Sequence, residues 1–174
     1  MKQLIRLIVA SALIAVGISA GSAAMAVPPT HEPSQPSGFG HLDAGIACAF
    51  PVDIDLVSGD QGQVITFFDH NGNVVRQMGT ARPSVWKITN TNTGASRTVD
   101  LAAGHQTVTT LPDGTVHVEI SGGAIGFQGP LDTPAGPFAF TNAGRLVVDI
   151  APDGTGTLVK LTGKRFDLCA AVAP

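Results

Sequence analysis

The chain has 174 residues, of which 44% are hydrophobic and 13% charged, with a formal net charge of −3. Charges this sparse and dispersed give no basic patch to release counterions from a phosphate backbone, which argues against nucleic-acid binding, and no acidic tract stands in their place. The length fits one domain with a core of its own.

Met1 to Arg6 carries two cations, Lys2 and Arg6, and the apolar run from Leu7 to Ile18 follows. Small residues then end in Ala24-Met25-Ala26. A charged start, an apolar middle and an A-x-A end form the pattern of a secretory signal peptide over residues 1–26, with cleavage between Ala26 and Val27. The apolar run is shorter than the ~20 residues of a membrane span. The expectation is a mature protein that is secreted to the extracellular side and holds no membrane after signal removal.

Residues 27–43 are rich in Pro, Ser and Gly, lack periodicity and read as a flexible N-terminal segment. From 44 to 174 a single β domain is expected. Short β-branched runs predict strands at 46–56, 64–69, 74–78, 85–90, 97–101, 105–111, 116–121, 138–141, 145–150, 157–162 and 166–170. Alternation is clearest in Thr115 to Ile120, where Val116, Val118 and Ile120 share one face and His117 and Glu119 the other. Between the runs stand turn formers: Asn71-Gly72, Asn92-Thr93-Gly94, Pro112-Asp113-Gly114, Asn142-Ala143-Gly144 and Pro152-Asp153-Gly154. The pentapeptide Leu111-Pro-Asp-Gly-Thr115 returns as Ala151-Pro-Asp-Gly-Thr155, read as reuse of one hairpin turn. No mature segment sustains a helical period over ten residues. The fold expected is all-β: an antiparallel β-sandwich or β-barrel of about 9–11 short strands.

Cys48 and Cys169 are the only cysteines. Export favours their oxidation, so they are expected to form one disulfide closing the domain. Small apolar neighbours and the lack of an adjacent cation argue against a reactive thiol. The longest irregular stretch, 121–137, suggests a long crossover, or a ligand loop around Gly123, Phe127 and Asp132.

Catalytic and metal signatures fail one by one. There is no G-x-S-x-G elbow, no C-x-x-C and no H-E-x-x-H. Asp69 to Asn73 looks like the start of a calcium loop, but its glycine is fourth rather than sixth and position twelve is Thr80, so a hairpin turn is expected. Asp53 and Asp55 share a strand face. His105, His117 and Glu119, on neighbouring strands, are the constellation most able to bind a metal or exchange protons. The catalytic, metal and cofactor expectation is none. Trp86 is the single tryptophan and tyrosine is absent, which weakens a sugar-stacking role.

Three groups of residues carry a likeness in order along the chain. They are Cys48-Ala49-Phe50-Pro51-Val52; Ile88-Thr89-Asn90 with Thr93-Gly94; and Gly136-Pro137, Gly144-Arg145, Gly163 and Asp167-Leu168-Cys169-Ala170-Ala171. In these the chain resembles a group of small, uncharacterised secreted β-rich proteins of high-GC Gram-positive bacteria. The resemblance implies a secreted β domain with paired cysteines at its ends, and it carries no activity. The leading functional expectation is a non-enzymatic extracellular binding or structural module, with an unidentified extracellular ligand or cell-envelope partner. The alternatives are a small β-barrel carrier of an apolar ligand and an enzyme with a His/Asp site at a barrel mouth.

Overall fold

The structure, a computed structural model, describes residues 27–34, 38–59 and 62–174. The expected leader, Ala26 included, lies outside them. Among the described residues eleven strands follow in order: β1 Thr30–Pro33, β2 Gly40–Leu42, β3 Val52–Gly59, β4 Gln63–Phe68, β5 Val74–Ala81, β6 Ser84–Asn90, β7 Ser96–Leu101, β8 Gly104–Thr110, β9 Val116–Gln128, β10 Phe138–Ile150 and β11 Gly156–Asp167. One short helix, α1 Leu168–Ala171, ends the fold. The strands make two antiparallel sheets, one in the order β1-β4-β5-β8-β9-β10-β11 and one in the order β2-β3-β6-β7. The sheets pack on each other and do not close, so of the two expected architectures the protein is a sandwich.

The hairpins follow from the turn chemistry. At 111–115 and 151–155 the same turn forms twice, with Gly114 and Gly154 at positive φ. In each, the aspartate side chain (Asp113 or Asp153) accepts the amide two residues on at 2.9 Å. Asp69 accepts from the amides of Asn71 and Asn73, both at 2.8 Å, which makes 69–73 the expected hairpin turn. Alternation then sorts the strands. In β6, Ser84, Trp86, Ile88 and Asn90 are buried while Lys87 is exposed. Trp86 and Ile88 join Val52, Ile54, Cys48, Leu168 and Val172 in the main core between the sheets. Each aliphatic side chain fully buried there contributes roughly 1.5–3 kcal/mol. The Cys48–Cys169 disulfide forms as expected, across 121 residues of sequence.

The long strands depart from expectation. The run 116–121 continues to Gln128 as one strand, the runs 138–141 and 145–150 are also one strand, and Asn142-Ala143-Gly144 is no turn but the middle of β10. Instead of turning, all three long strands bend at one place. Gly104, Gly122, Gly144 and Gly163 stand opposite one another across β8, β9, β10 and β11. Gly122 and Gly163 hold positive φ, and a Cβ on Gly144 would lie 2.1 Å from the Thr162 carbonyl oxygen. Only glycine fits such a row. Beyond it the strands fold back. Phe140 and Leu146, about 20 Å apart on a straight strand, share one buried cluster with Ala124.

The loop 129–137 closes the open end of this fold. Thr133 pairs with Thr157, and the Asp132 carboxylate bonds the Gly129 and Gly156 amides, each at 2.7 Å. The predicted irregular stretch therefore shrinks, because Gly123 and Phe127 belong to β9.

Three further corrections concern the ends. Residues 46–51 precede the sheet rather than opening it, because Pro51 lacks a ladder donor and the first strand residue is Val52. Segment 27–43, expected to be irregular, contributes β1 and β2; β1 pairs through its backbone with β4 and is fully exposed, so it needs no apolar pattern. The predicted strand 166–170 ends at Asp167, whose side chain accepts the Ala170 amide at 2.9 Å and caps α1.

Candidate functional site

Where the chain passes between sheets, from β5 to β6 and from β7 to β8, the two layers part and leave an open cleft of about 330 Å³. One wall is a register row of the large sheet, Val64, Gly79, Gln106 and Ile120, on four adjacent strands. The other is formed by Phe39, Ser84 and Trp86. Trp86 is buried and its Nε1 donates to Ser84 Oγ at 2.9 Å, so the indole offers the cleft an apolar edge with its polar group satisfied. Gly79 keeps the space open: a Cβ built there meets only Gln106 Cβ, at 4.0 Å. The result is a mostly apolar recess whose lining also holds the exposed Gln106, in that row, and the exposed His105 beside it in sequence.

A second cleft, of about 350 Å³, lies on the other side of Ala102 and Gly123, residues that line both. A Cβ on Gly123 would sit 2.4 Å from the Ala102 oxygen, so a glycine is required where the two sheets touch between the clefts. The second cleft opens between β7 and the far halves of β10 and β11, and is lined by Arg97, Asp100, Lys164, Arg165 and Phe166 among others.

The three residues suggested as a ligand loop separate here. Gly123 lines both clefts. Phe127 is partly buried and packs against the main core, edge-on to Phe39 at 5.4 Å between centroids. Asp132 lines neither cleft; it is the loop staple described above.

The histidine constellation does not assemble. His105 stands opposite Ser121 and His117 opposite Thr109, which puts the two histidines four residues, about 13 Å, apart along the ladder. His117 Nδ1 instead meets Asp149 Oδ1 at 2.6 Å, and Glu119 pairs with Arg145 at 2.9 Å. Both pairs lie half-exposed on the outer sheet face. Asp53 meets His41 at 2.7 Å, while Asp55 stands opposite Lys87. Among the described residues, no group of three or more His, Cys, Asp or Glu side chains is placed to hold a metal.

Three aspartates are held below their ordinary carboxylate range. For Asp113 and Asp153 the backbone amides of Thr115 and Thr155 are the main cause, and for Asp69 it is the Asn73 side chain. All three serve turns. Two buried side chains carry unpartnered polar atoms among the described residues: both ends of the Asn142 carboxamide, and Gln128 Oε1.

Sequence reading missed the cleft. Its one usable signal was Gly79, an isolated glycine inside a run that continues as a strand to Ala81, a position that marks a bulge or an open backbone surface. No family model, curated protein or solved structure matches the chain. Among the described residues no helix is long and apolar enough to cross a membrane.

Proposed function

We propose that the protein is a secreted, non-enzymatic binding module whose first cleft holds a small, largely apolar ligand. The observation that carries this reading is the recess between Trp86 and the Val64–Ile120 row, kept open by Gly79 within that row. An apolar concavity with a few polar groups at its rim is the usual form of a small-molecule site. The leader pattern of residues 1–26 and the disulfide fit an exported protein. The ligand enters an open groove between sheets rather than a barrel lumen. The His117–Asp149 pair, on a sheet face outside both clefts, lends little to an enzymatic reading.

The test uses N-phenyl-1-naphthylamine, a neutral apolar fluorophore, on the mature protein. Trp86, the single tryptophan, lines the cleft and serves as energy donor. Saturable transfer from Trp86 to the probe is expected, with at least a tenfold loss of affinity in Gly79→Leu, whose backbone φ is outside the left-handed region. Absence of saturation, or equal binding by Gly79→Leu, would overturn the reading.

A further inference from the structure

We propose that the second cleft is a separate binding site for a small organic anion, one that joins a carboxylate or phosphoryl group to a flat apolar body. Two cations stand on the side of Phe166: Arg97 from β7, whose guanidinium lies over that ring, and Lys164, two residues before it on β11; the third lining cation, Arg165, stands opposite Asn142 on the other face of β11. They come together in a chain where acidic residues outnumber basic ones, 13 to 10. Among the described residues none of the three makes an ion pair within 4.0 Å; the salt bridges formed involve His41, His117 and Arg145. Among the described residues Asp100 is the one carboxylate that lines the cleft. Cations gathered around a concavity repel each other and lower their energy by sharing an anion, and a guanidinium binds a carboxylate or phosphoryl group through two parallel hydrogen bonds.

The apolar half of the ligand is set by Phe166. It is 40% exposed at the edge of the large sheet, and the Arg97 guanidinium lies 6.0 Å from its ring centroid. A flat apolar group stacked on this ring would bring an attached anionic group within reach of Arg97. Thr141 at the cleft wall adds a hydroxyl that can donate to an anion oxygen. The strands supplying the cations, β7 and β11, are the outer strands of their sheets, so the cleft is open along its side.

This site is independent of the first cleft, and the experiment separates them. Amide chemical shifts of the ¹⁵N-labelled mature protein are followed with phenyl phosphate, benzoate, inorganic phosphate and benzyl alcohol as probes. Phenyl phosphate and benzoate are expected to move amides at 97–101, 141–143 and 164–166, while neutral benzyl alcohol leaves them in place. The Arg97→Gln/Lys164→Gln double variant, made at exposed positions that preserve the fold, should bind phenyl phosphate at least tenfold more weakly. Binding should also weaken as salt is raised. Gly79→Leu should leave these shifts unchanged, so loss of the apolar probe and loss of the anion are read apart. Silence of those amides, an equal response to benzyl alcohol, or full binding by the double variant would overturn the proposal. Equal affinity for inorganic and phenyl phosphate would overturn the part assigned to Phe166.

Discussion

The Asp132 carboxylate and the Gly156 amide meet at 2.7 Å, although Asp132 precedes β10 and Gly156 follows it. A straight strand of the length of β10 would hold its ends ~40 Å apart. The contact therefore fastens the strand after it has folded back on itself. The same carboxylate also accepts the Gly129 amide. Hydrogen bonds to a charged acceptor contribute about 1.5–3 kcal/mol each. Asp132→Ala should lose about 3 kcal/mol or more in urea unfolding, with faster hydrogen exchange at Gly156 and Leu158. Asp132→Asn, which keeps one acceptor oxygen, should fall between. Unchanged exchange in Asp132→Ala would refute the fastening role.

The bend itself rests on the glycine row. In Gly122→Ala a Cβ would stand 2.3 Å from the Ala103 oxygen at a positive φ, and in Gly163→Ala 2.2 Å from the Ala143 oxygen. Backbone cannot yield as a flexible side chain can. Each substitution should cost about 2 kcal/mol or more, from strain added to the unfavourable φ. Gly79→Ala, with open space and an ordinary φ, should stay within about 0.5 kcal/mol of the parent. Thermal unfolding of the three variants side by side checks the contrast.

Local features of the sandwich were legible. The alternation of Val116, Val118 and Ile120, the two Pro-Asp-Gly turns and the cysteine pair each stand for one physical device, and each forms as read. Asn142-Ala143-Gly144 was misread because turns and fold-back rows draw on the same residues; only the partners Gly122 and Gly163 show that Gly144 bends a strand. Strand β1 was hidden because its pairing is all backbone. The helix after Asp167 did have a signal, a capping aspartate, which the apolar run behind it masked. Neither cleft was legible. Val64, Gly79, Gln106 and Ile120 lie on four strands, and Arg97 and Lys164 line one cleft only because two sheets pack together.

Removal of the disulfide should be the largest single loss of stability. Cys48 is fully buried in the main core, and the bond closes a loop of sequence separation 121. In the chain-entropy account such a loop is stabilised by up to about 4–5 kcal/mol, and measured losses run about 2–5. Cys48→Ala/Cys169→Ala should unfold at a markedly lower temperature while keeping its β circular dichroism at low temperature. The parent treated with a strong reductant should approach the variant. A variant as stable as the parent would show that the core alone holds the termini of the domain together.

Acid should loosen three hairpin turns before the core. Asp69, Asp113 and Asp153 have folded-state values below the ordinary aspartate value of 3.8, so their hydrogen bonds stabilise the fold above that pH. That contribution is lost as pH falls through the depressed values, when the carboxylates protonate and lose the charge that strengthens these hydrogen bonds. Carboxyl-carbon NMR titration should place all three midpoints below 3.8. Exchange at the Thr115 and Thr155 amides should accelerate over the same interval. Asp113→Asn should keep the turn and abolish its response to acid, and a midpoint at or above the ordinary value for Asp113 would remove the basis for this prediction.

Asn142 should be a site where a more apolar protein is a more stable one. It is 2% exposed, stands opposite Ala124, and lies on the same face of β10 as Phe140 and Leu146. Among the described residues neither end of its carboxamide has a hydrogen-bond partner. A buried polar group left unpaired costs about 1–3 kcal/mol, whereas an apolar side chain of similar volume carries no such cost. Asn142→Leu should therefore raise stability by roughly 1–2 kcal/mol. Asn142→Ala should gain less, because it removes the unpaired amide but leaves a cavity beside Phe140. Urea midpoints of the two variants decide the matter: a lower midpoint for Asn142→Leu would mean that the carboxamide contributes more at the bend than its polar atoms cost.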